Sequence, residues 1–326
     1  MYKKFFGLRE SPFNVNPDPR YLFLTRHTEE ALANLTYGVQ KRKGFILLTG
    51  EVGTGKTTLL NRLLNWLDSE RVATAFIFNS RLNVTQFFDF MMADFGIPLE
   101  ASSPQTFKSQ ALLRLYHWLL ERYKAGKTAV LIVDEAQNLS PQVLEEIRLL
   151  TNLETTTEKL LQIVLSGQPE LEYKLNQPQL RQLRQRITLR CKTHPLELEE
   201  TYGYISERLR IAGLALDAQA SGNGSQGSRK EWQEIFTAEA IEVLHTYSQG
   251  IPRVMNLLCE HALISAYVDQ RKPVPAQTIE DIAREFQLHE VRPIAPSHTP
   301  EDGENSHVTE ALQMLANLAD RLRKNE

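Results

Sequence analysis

The sequence predicts an α/β fold, a parallel sheet covered by helices, followed by a small all-α domain. Three observations carry this. Up to residue 194, apolar runs of strand length alternate with amphipathic stretches of helical spacing, the order that builds a parallel sheet. One run, Ala129-Val130-Leu131-Ile132-Val133, is apolar without a break and suits a strand buried on both faces. From Pro195 onward the strand signals stop and four helical stretches follow.

Taken in order, residues 1–27 hold Phe5, Phe6, Phe13, Tyr21 and Phe23 among polar turns, and Pro12, Pro17 and Pro19 forbid a long helix. This predicts an extended arm pinned by its aromatics to the α/β domain. Thr28-Glu29-Glu30 reads as the cap of a helix to about Gln40, with Ala31, Leu32, Leu35 and Val39 on one face. Gly44 to Thr49 is the first strand, and Leu59 to Leu67 has the spacing of the helix that follows it. Arg71 to Asn79 is expected as the second strand. A helix over Val84–Phe95 is broken by Gly96-Ile97-Pro98, and a longer one spans Gln105–Lys124. Thr128 to Val133 is the third strand, and Ser140-Pro141 opens a helix to about Asn152 with proline in its first turn. Leu160–Ser166 and Ile187–Arg190 complete the sheet. Helices are expected over Glu197–Ala212, Thr237–Tyr247, Pro252–Tyr267 and Ala276–Phe286.

The resulting layout is an arm (1–27), an α/β domain (28–194) and a helical domain (195–289), the last with a flexible insertion at 217–230. That insertion is Gly, Ser, Asn and Gln with little to bury. A Pro- and charge-rich linker (290–308) leads to a C-terminal helix (309–326) carrying Leu312, Leu315, Leu318 and Leu322 on one stripe.

With 42% apolar and 24% charged residues, the 326-residue chain has the balance of a globular protein. A net charge of −3 gives no global sign of nucleic acid or an anionic membrane as partner. Cys191 and Cys259 lie far apart in no metal-like spacing and read as buried thiols in a reducing compartment. No long apolar run exists and the first residues lack a sustained apolar core, so we expect no signal peptide, no membrane insertion and a cytoplasmic location.

The chemistry concentrates in Gly50-Glu51-Val52-Gly53-Thr54-Gly55-Lys56-Thr57, followed by Thr58. A strand precedes it and a helix follows, the context that a G-x-x-x-x-G-K-[ST] phosphate loop requires. Glycines let successive N–H groups converge on a phosphate, and the new helix aims its positive end at the same place. Lys56 adds a point charge for the β- and γ-phosphates, and the Thr57 hydroxyl is a ligand for Mg²⁺. The third strand ends in Asp134-Glu135. Asp134 is placed to hold Mg²⁺ with Thr57, and Glu135 to polarise an attacking water.

With the phosphate loop, four further segments make the chain resemble the ExeA/GspA family of secretion-associated AAA+ ATPases, with TniB/TnsC transposition ATPases as relatives. They are Val133-Asp134-Glu135-Ala136-Gln137-Asn138-Leu139, Leu165-Ser166-Gly167-Gln168-Pro169-Glu170-Leu171, Leu183-Arg184-Gln185-Arg186-Ile187, and Gly250 through Cys259. The resemblance covers about residues 1–288. It implies that Ser166, or Gln168, acts as the first γ-phosphate sensor, and that Asn79 is a polar switch restraining Glu135. It implies that Arg253 senses the nucleotide from a helical lid. Among Arg181, Arg184 and Arg186 it implies an arginine finger given to a neighbouring subunit, Arg186 first and Arg184 next; a solvated or DNA-facing basic patch is the other reading of that cluster. It puts the arm and Arg26-His27 near the purine. The activity so implied is Mg²⁺-dependent ATP hydrolysis in a ring or spiral of identical subunits that remodels a protein partner of a secretion, polysaccharide-export or pilus-type system. The alternatives are an ATP-dependent DNA-bound filament and a nucleotide-gated scaffold without turnover. Relatives often add a transmembrane helix and a cell-wall-binding domain that this sequence does not show, so an envelope role would need recruitment.

Overall fold

Five strands pair in parallel: β1 (Phe45–Thr49), β2 (Ala73–Ile77), β3 (Ala129–Val133), β4 (Leu161–Gly167) and β5 (Leu189–Lys192). Their order across the sheet is β2-β3-β4-β1-β5. This is a computed structural model, and it describes residues 1–78, 81–99, 104–214 and 232–288. Asn79, the 217–230 insertion, the 290–308 linker and the 309–326 helix therefore lie outside the described residues.

The order explains the apolar pattern. The three central strands, β3, β4 and β1, are buried at every position, whereas the edge strands β2 and β5 are only partly buried. Alternate residues of β1 face opposite ways. Ile46 and Leu48 meet α2 (Arg26–Gln40) and α3 (Lys56–Ser69) through Leu35, Leu59, Leu60 and Leu63. Phe45 and Leu47 join the other face, with α4 (Val84–Asp94), α5 (Pro104–Lys124) and α6 (Pro141–Leu150) supplying Phe87, Leu115 and Ile147. Each such fully buried side chain contributes roughly 1.5–3 kcal/mol relative to exposure, so the sheet is clamped from both sides.

Several boundaries shift by one or two residues from the sequence expectation, and three differences are informative. β5 begins at Leu189 rather than Ile187, because the backbone first has to leave a short helix, α8 (Arg181–Arg186), and then pairs Ile46 with Leu189 and Thr49 with Lys192. α7 (Pro169–Leu175) was not expected at all; it is a seven-residue helix that starts on Pro169 and buries Leu171 and Leu175. α2 starts two residues before Thr28, and it is Thr25 whose hydroxyl accepts the Thr28 N–H as cap.

Helices α9 (Leu198–Ile211), α10 (Ala238–Ser248), α11 (Pro252–Val268) and α12 (Ala276–Glu285) form a second core around Tyr204, Ile241, Met255 and Ile279. The arm overturns one expectation here. It opens with a short helix, α1 (Tyr2–Phe6), and Tyr2, Phe6, Leu8 and Phe13 bury in this helical core rather than against the sheet. The reason is vacancy of apolar surface: both sheet faces are already covered by their own helices, while α9–α12 leave a side for the aromatic rings. Arg9 and Glu10 donate their N–H groups to Ala212 O at the end of α9, fixing the same placement. No helix among the described residues is long and apolar enough to cross a membrane.

Candidate functional site

A parallel sheet brings all strand C-termini to one edge, and ligands of open α/β sheets bind there. Thr49 of β1 stands beside Gly167 of β4, and Val133 of β3 beside Leu165. From β1 the chain turns at once into the phosphate loop, so the loop lies over the ends of β1, β4 and β3.

The loop needs its glycines for two different reasons. A Cβ on Gly50 would sit 2.0 Å from Thr193 Oγ1 and 2.7 Å from its carbonyl, because the residue after β5 closes on the loop. Gly53 and Gly55 hold φ of 83° and 96°, conformations costly for any other residue. Thr54 Oγ1 bonds Thr193 Oγ1 at 2.7 Å, tying loop to strand end. Lys56 is buried and its Nζ donates to the carbonyls of Gly50 and Glu51 at 2.8 and 2.9 Å. Burial pushes the Lys56 ammonium below its ordinary pKa, while the charges of Glu135, Asp134 and Glu51 work the other way. A cation held over the loop by two carbonyl bonds, next to the N–H groups of the first turn of α3, is a cradle that fits a polyphosphate.

Beside it stands an ordered line of oxygens. Thr57 Oγ1 donates to Asp134 Oδ2 at 3.0 Å, and Ser166 Oγ donates to Asp134 Oδ1 at 2.7 Å. Asp134 is thus oriented from both sides by α3 and β4. Its donor set, a hydroxyl and a carboxylate, is of the hard oxygen type that Mg²⁺ takes together with substrate phosphates. Among the described residues no group of three or more His, Cys, Asp or Glu could hold a metal on its own, so a cation here would draw further ligands from a bound phosphate and water.

Glu135 leaves β3 in a left-handed conformation, φ 52° and ψ 36°, uncommon for a residue with a side chain. The turn carries its carboxylate off the sheet edge. Two amides meet it: Gln137 Nε2 at 2.5 Å and Gln168 Nε2 at 3.2 Å, both on Oε2. Gln137 Oε1 in turn accepts the Gln168 N–H at 3.2 Å, and Lys174 Nζ from α7 holds the Gln137 and Leu139 carbonyls. Ser166 is therefore spent on Asp134, and Gln168 is the strand-end side chain that reaches Glu135. Gln137 was not anticipated, although its place two residues past Glu135 on a tight turn was visible.

A cavity of about 230 Å³ opens from the loop. Val52 through Thr58 and Glu135 line one part of it. Val15 to Asp18, Tyr21, Leu22 and Phe23 of the arm line another, with Thr193, Tyr204, Arg208, Arg253 and Asn256. Arg253, at the start of α11, donates its N–H to Gly53 O at 3.2 Å, and a Cβ on Gly53 would lie 2.8 Å from the Arg253 Cβ. Arg253 thus meets the loop through its backbone. His27 does not line the cavity; its ring lies tilted against that of His194, centroids 5.0 Å apart, and His194 is the lining residue. Arg184 and Arg186 are exposed on α8 and donate to Asn176 Oδ1 (2.9 Å) and Asn152 Oδ1 (3.2 Å). α8 precedes β5, at the edge where strands begin, so within one chain these arginines are not gathered with Lys56 and Asp134. Arg208, Tyr204, Asn256 and Thr193 are lining residues that the sequence reading missed.

Sheet order, phosphate loop and the Asp134-Glu135 strand end define the class: a P-loop fold of the AAA type. The family described as AAA domain matches residues 39–175. General secretion pathway protein A of Aeromonas hydrophila is 45% identical over 271 residues, which are 82% of this chain and 45% of that protein. This chain therefore spans less than half of that relative's length. A structure of Drosophila ORC bound to DNA superposes with a TM-score of 0.60 at 17% identity, over 88% of this chain and 66% of that one. The ORC2 protein of Aeropyrum pernix does so with 0.57 at 17% identity, over 85% and 71%. Those two likenesses speak to the fold. Over the matched residues the chain is similar to the ExeA/GspA family of AAA+ ATPases.

Proposed function

We propose that this chain hydrolyses ATP with Mg²⁺ in an oligomer and uses the cycle to remodel a protein partner of a secretion or export system. The observation that carries the hydrolytic part is the line Thr57–Asp134–Ser166 with Glu135 turned off its end, all within hydrogen-bond reach of one another or of shared partners. In this reading the loop N–H groups and Lys56 bind the phosphates. Thr57 and Asp134 hold Mg²⁺, which when bound offsets charge on the phosphate oxygens. Glu135 accepts the proton of the attacking water, with its carboxylate aimed by Gln137 and Gln168. Arg253 joins the site from the helical region (195–289), which serves as a lid, and the contact with Gly53 supports that coupling. Arg186, or Arg184, completes the site of a neighbouring copy. Asn79 keeps its expected role as a restraint on Glu135.

The partner class rests on the Aeromonas relative being a general secretion pathway protein, of which this chain matches only part. The second reading, a filament on duplex DNA, draws on the exposed Arg181, Arg184, Arg186 and Arg190. Measuring ATPase activity against Mg²⁺ for wild type and Glu135→Gln tests the chemistry; full turnover by the variant would remove Glu135 as base. Duplex binding across a salt series, with and without an ATP analogue, tests the partner. A steep ATP-dependent affinity would replace the protein partner with DNA. Arg186→Ala mixed with Lys56→Ala should regain activity at hybrid interfaces, and no recovery at any ratio would remove the finger.

A further inference from the structure

We propose that Arg208 is a positioning residue for nucleotide binding: it fixes residues 12–17 of the arm as a wall of the cavity, on which the nucleoside end of the ligand depends while the phosphate end does not. The inference rests on the nucleotide reading above.

Arg208 lies in α9 and is only 6% exposed. A buried guanidinium is costly unless its donors are used. Here they are used on the arm: Nε donates to Pro12 O at 2.6 Å and Nη2 to Asn14 O at 3.1 Å. Nη1 donates to Tyr204 Oη at 2.7 Å, and Tyr204 Oη donates onward to Asn256 Oδ1 at 2.8 Å. The guanidinium carbon lies 4.5 Å from the centre of the Tyr21 ring, a cation–π contact. One charged group thus takes its satisfaction from the backbone of the segment that leads directly into Val15, Asn16 and Pro17, which line the cavity.

The segment has a second anchor on the other core. Asn61 of α3, the helix that opens with Lys56, donates Nδ2 to Pro17 O at 2.9 Å. Residues 12–17 are therefore strung between the helical core and the phosphate-loop helix, held at each end through carbonyls. Both anchors grip backbone, so the path of the wall is set by Arg208 and Asn61. Lysine cannot replace Arg208, because a single ammonium cannot present the planar fork that serves two carbonyls and a hydroxyl at once.

The test is calorimetric titration of the full chain with ADP and, separately, with inorganic tripolyphosphate, which can occupy the phosphate loop but has no nucleoside. In Arg208→Lys the ADP affinity should fall by about tenfold or more, as expected for lost charge-assisted bonds, with tripolyphosphate affinity unchanged. Asn61→Ala, at a more exposed anchor, should show the same asymmetry at about threefold. Unchanged ADP affinity in Arg208→Lys overturns the proposal, and so does an equal loss for both ligands, which would mark Arg208 as a general stabiliser. Should Arg208→Lys not fold, Asn61→Ala decides by the same two criteria. A wild-type chain that binds neither ligand removes the nucleotide reading itself, a distinct result.

Discussion

At the sheet edge, each group of the site arrives at the end of a strand or the start of a helix: Lys56 and Thr57 open α3, Asp134 follows β3 and Ser166 sits in β4. At the arm, the same cavity is walled by contacts between residues 194 and 196 positions apart, Arg208 with Asn14 and with Pro12. The first wall follows from local geometry, since a parallel register places three strand ends together without further instruction. The second exists only when the helical core and the arm have both formed. A sheet-built wall should fail chemically when a side chain is changed, and an arm-built wall should fail in affinity and dynamics.

That contrast can be broken in order of effect. Glu135→Gln should retain ATP binding and lose on the order of a hundredfold to ten-thousandfold in turnover, the usual contribution of a general base; single-turnover rates check it. Lys56→Ala should weaken ATP binding by on the order of a hundredfold, read by competition with a fluorescent nucleotide. Ser166→Ala leaves the fold and removes one of the bonds that orient Asp134, with turnover lower by about tenfold and the Mg²⁺ requirement shifted upward. Gly50→Ala should lower stability by about 1–3 kcal/mol, since its Cβ would drive Thr193 away, and urea melts measure this.

A further effect, confined to alkaline solution, is a pH dependence on the sheet side. Burial pushes the Cys191 thiol up to about 12 from about 9. In the unfolded chain the thiol ionises first, so its contribution to stability is complete below about pH 9 and is lost as pH rises toward about 12. Wild type should lose stability more steeply than Cys191→Ala over that interval, and equal slopes would refute the burial argument.

The phosphate loop and the Asp134-Glu135 pair were legible because motif, apolar strand and helix start lie within a few residues of each other, where local rules act. Ser166 was legible as a polar group closing an apolar strand, but its service to Asp134 is a relation between β4 and β3 that only pairing reveals. Arg208 was hidden by its own context: Arg208 and Arg210 near the end of an amphipathic helix read alike, yet one is buried by the arm and the other pairs with Glu207 on the surface. The aromatics of the arm signalled burial without saying where. Which core receives Phe6 and Phe13 depends on which surface other helices have left uncovered, and that is settled only in three dimensions. α7 escaped for a simpler reason. Seven residues give too few turns for periodicity to show.

One contact made without any side-chain chemistry has mechanical weight. Gly53 O accepts the Arg253 N–H, and the two residues are so close that a methyl group would not fit between them. The tip of the phosphate loop is thus a pivot bearing for the first turn of α11. A tilt of that helix would reach the loop through this contact, and a change in the loop's shape would be passed to the seventeen residues of α11, Pro252–Val268. Filling that gap by Gly53→Ala would wedge the bearing and bias the angle of the helical core whether or not nucleotide is present.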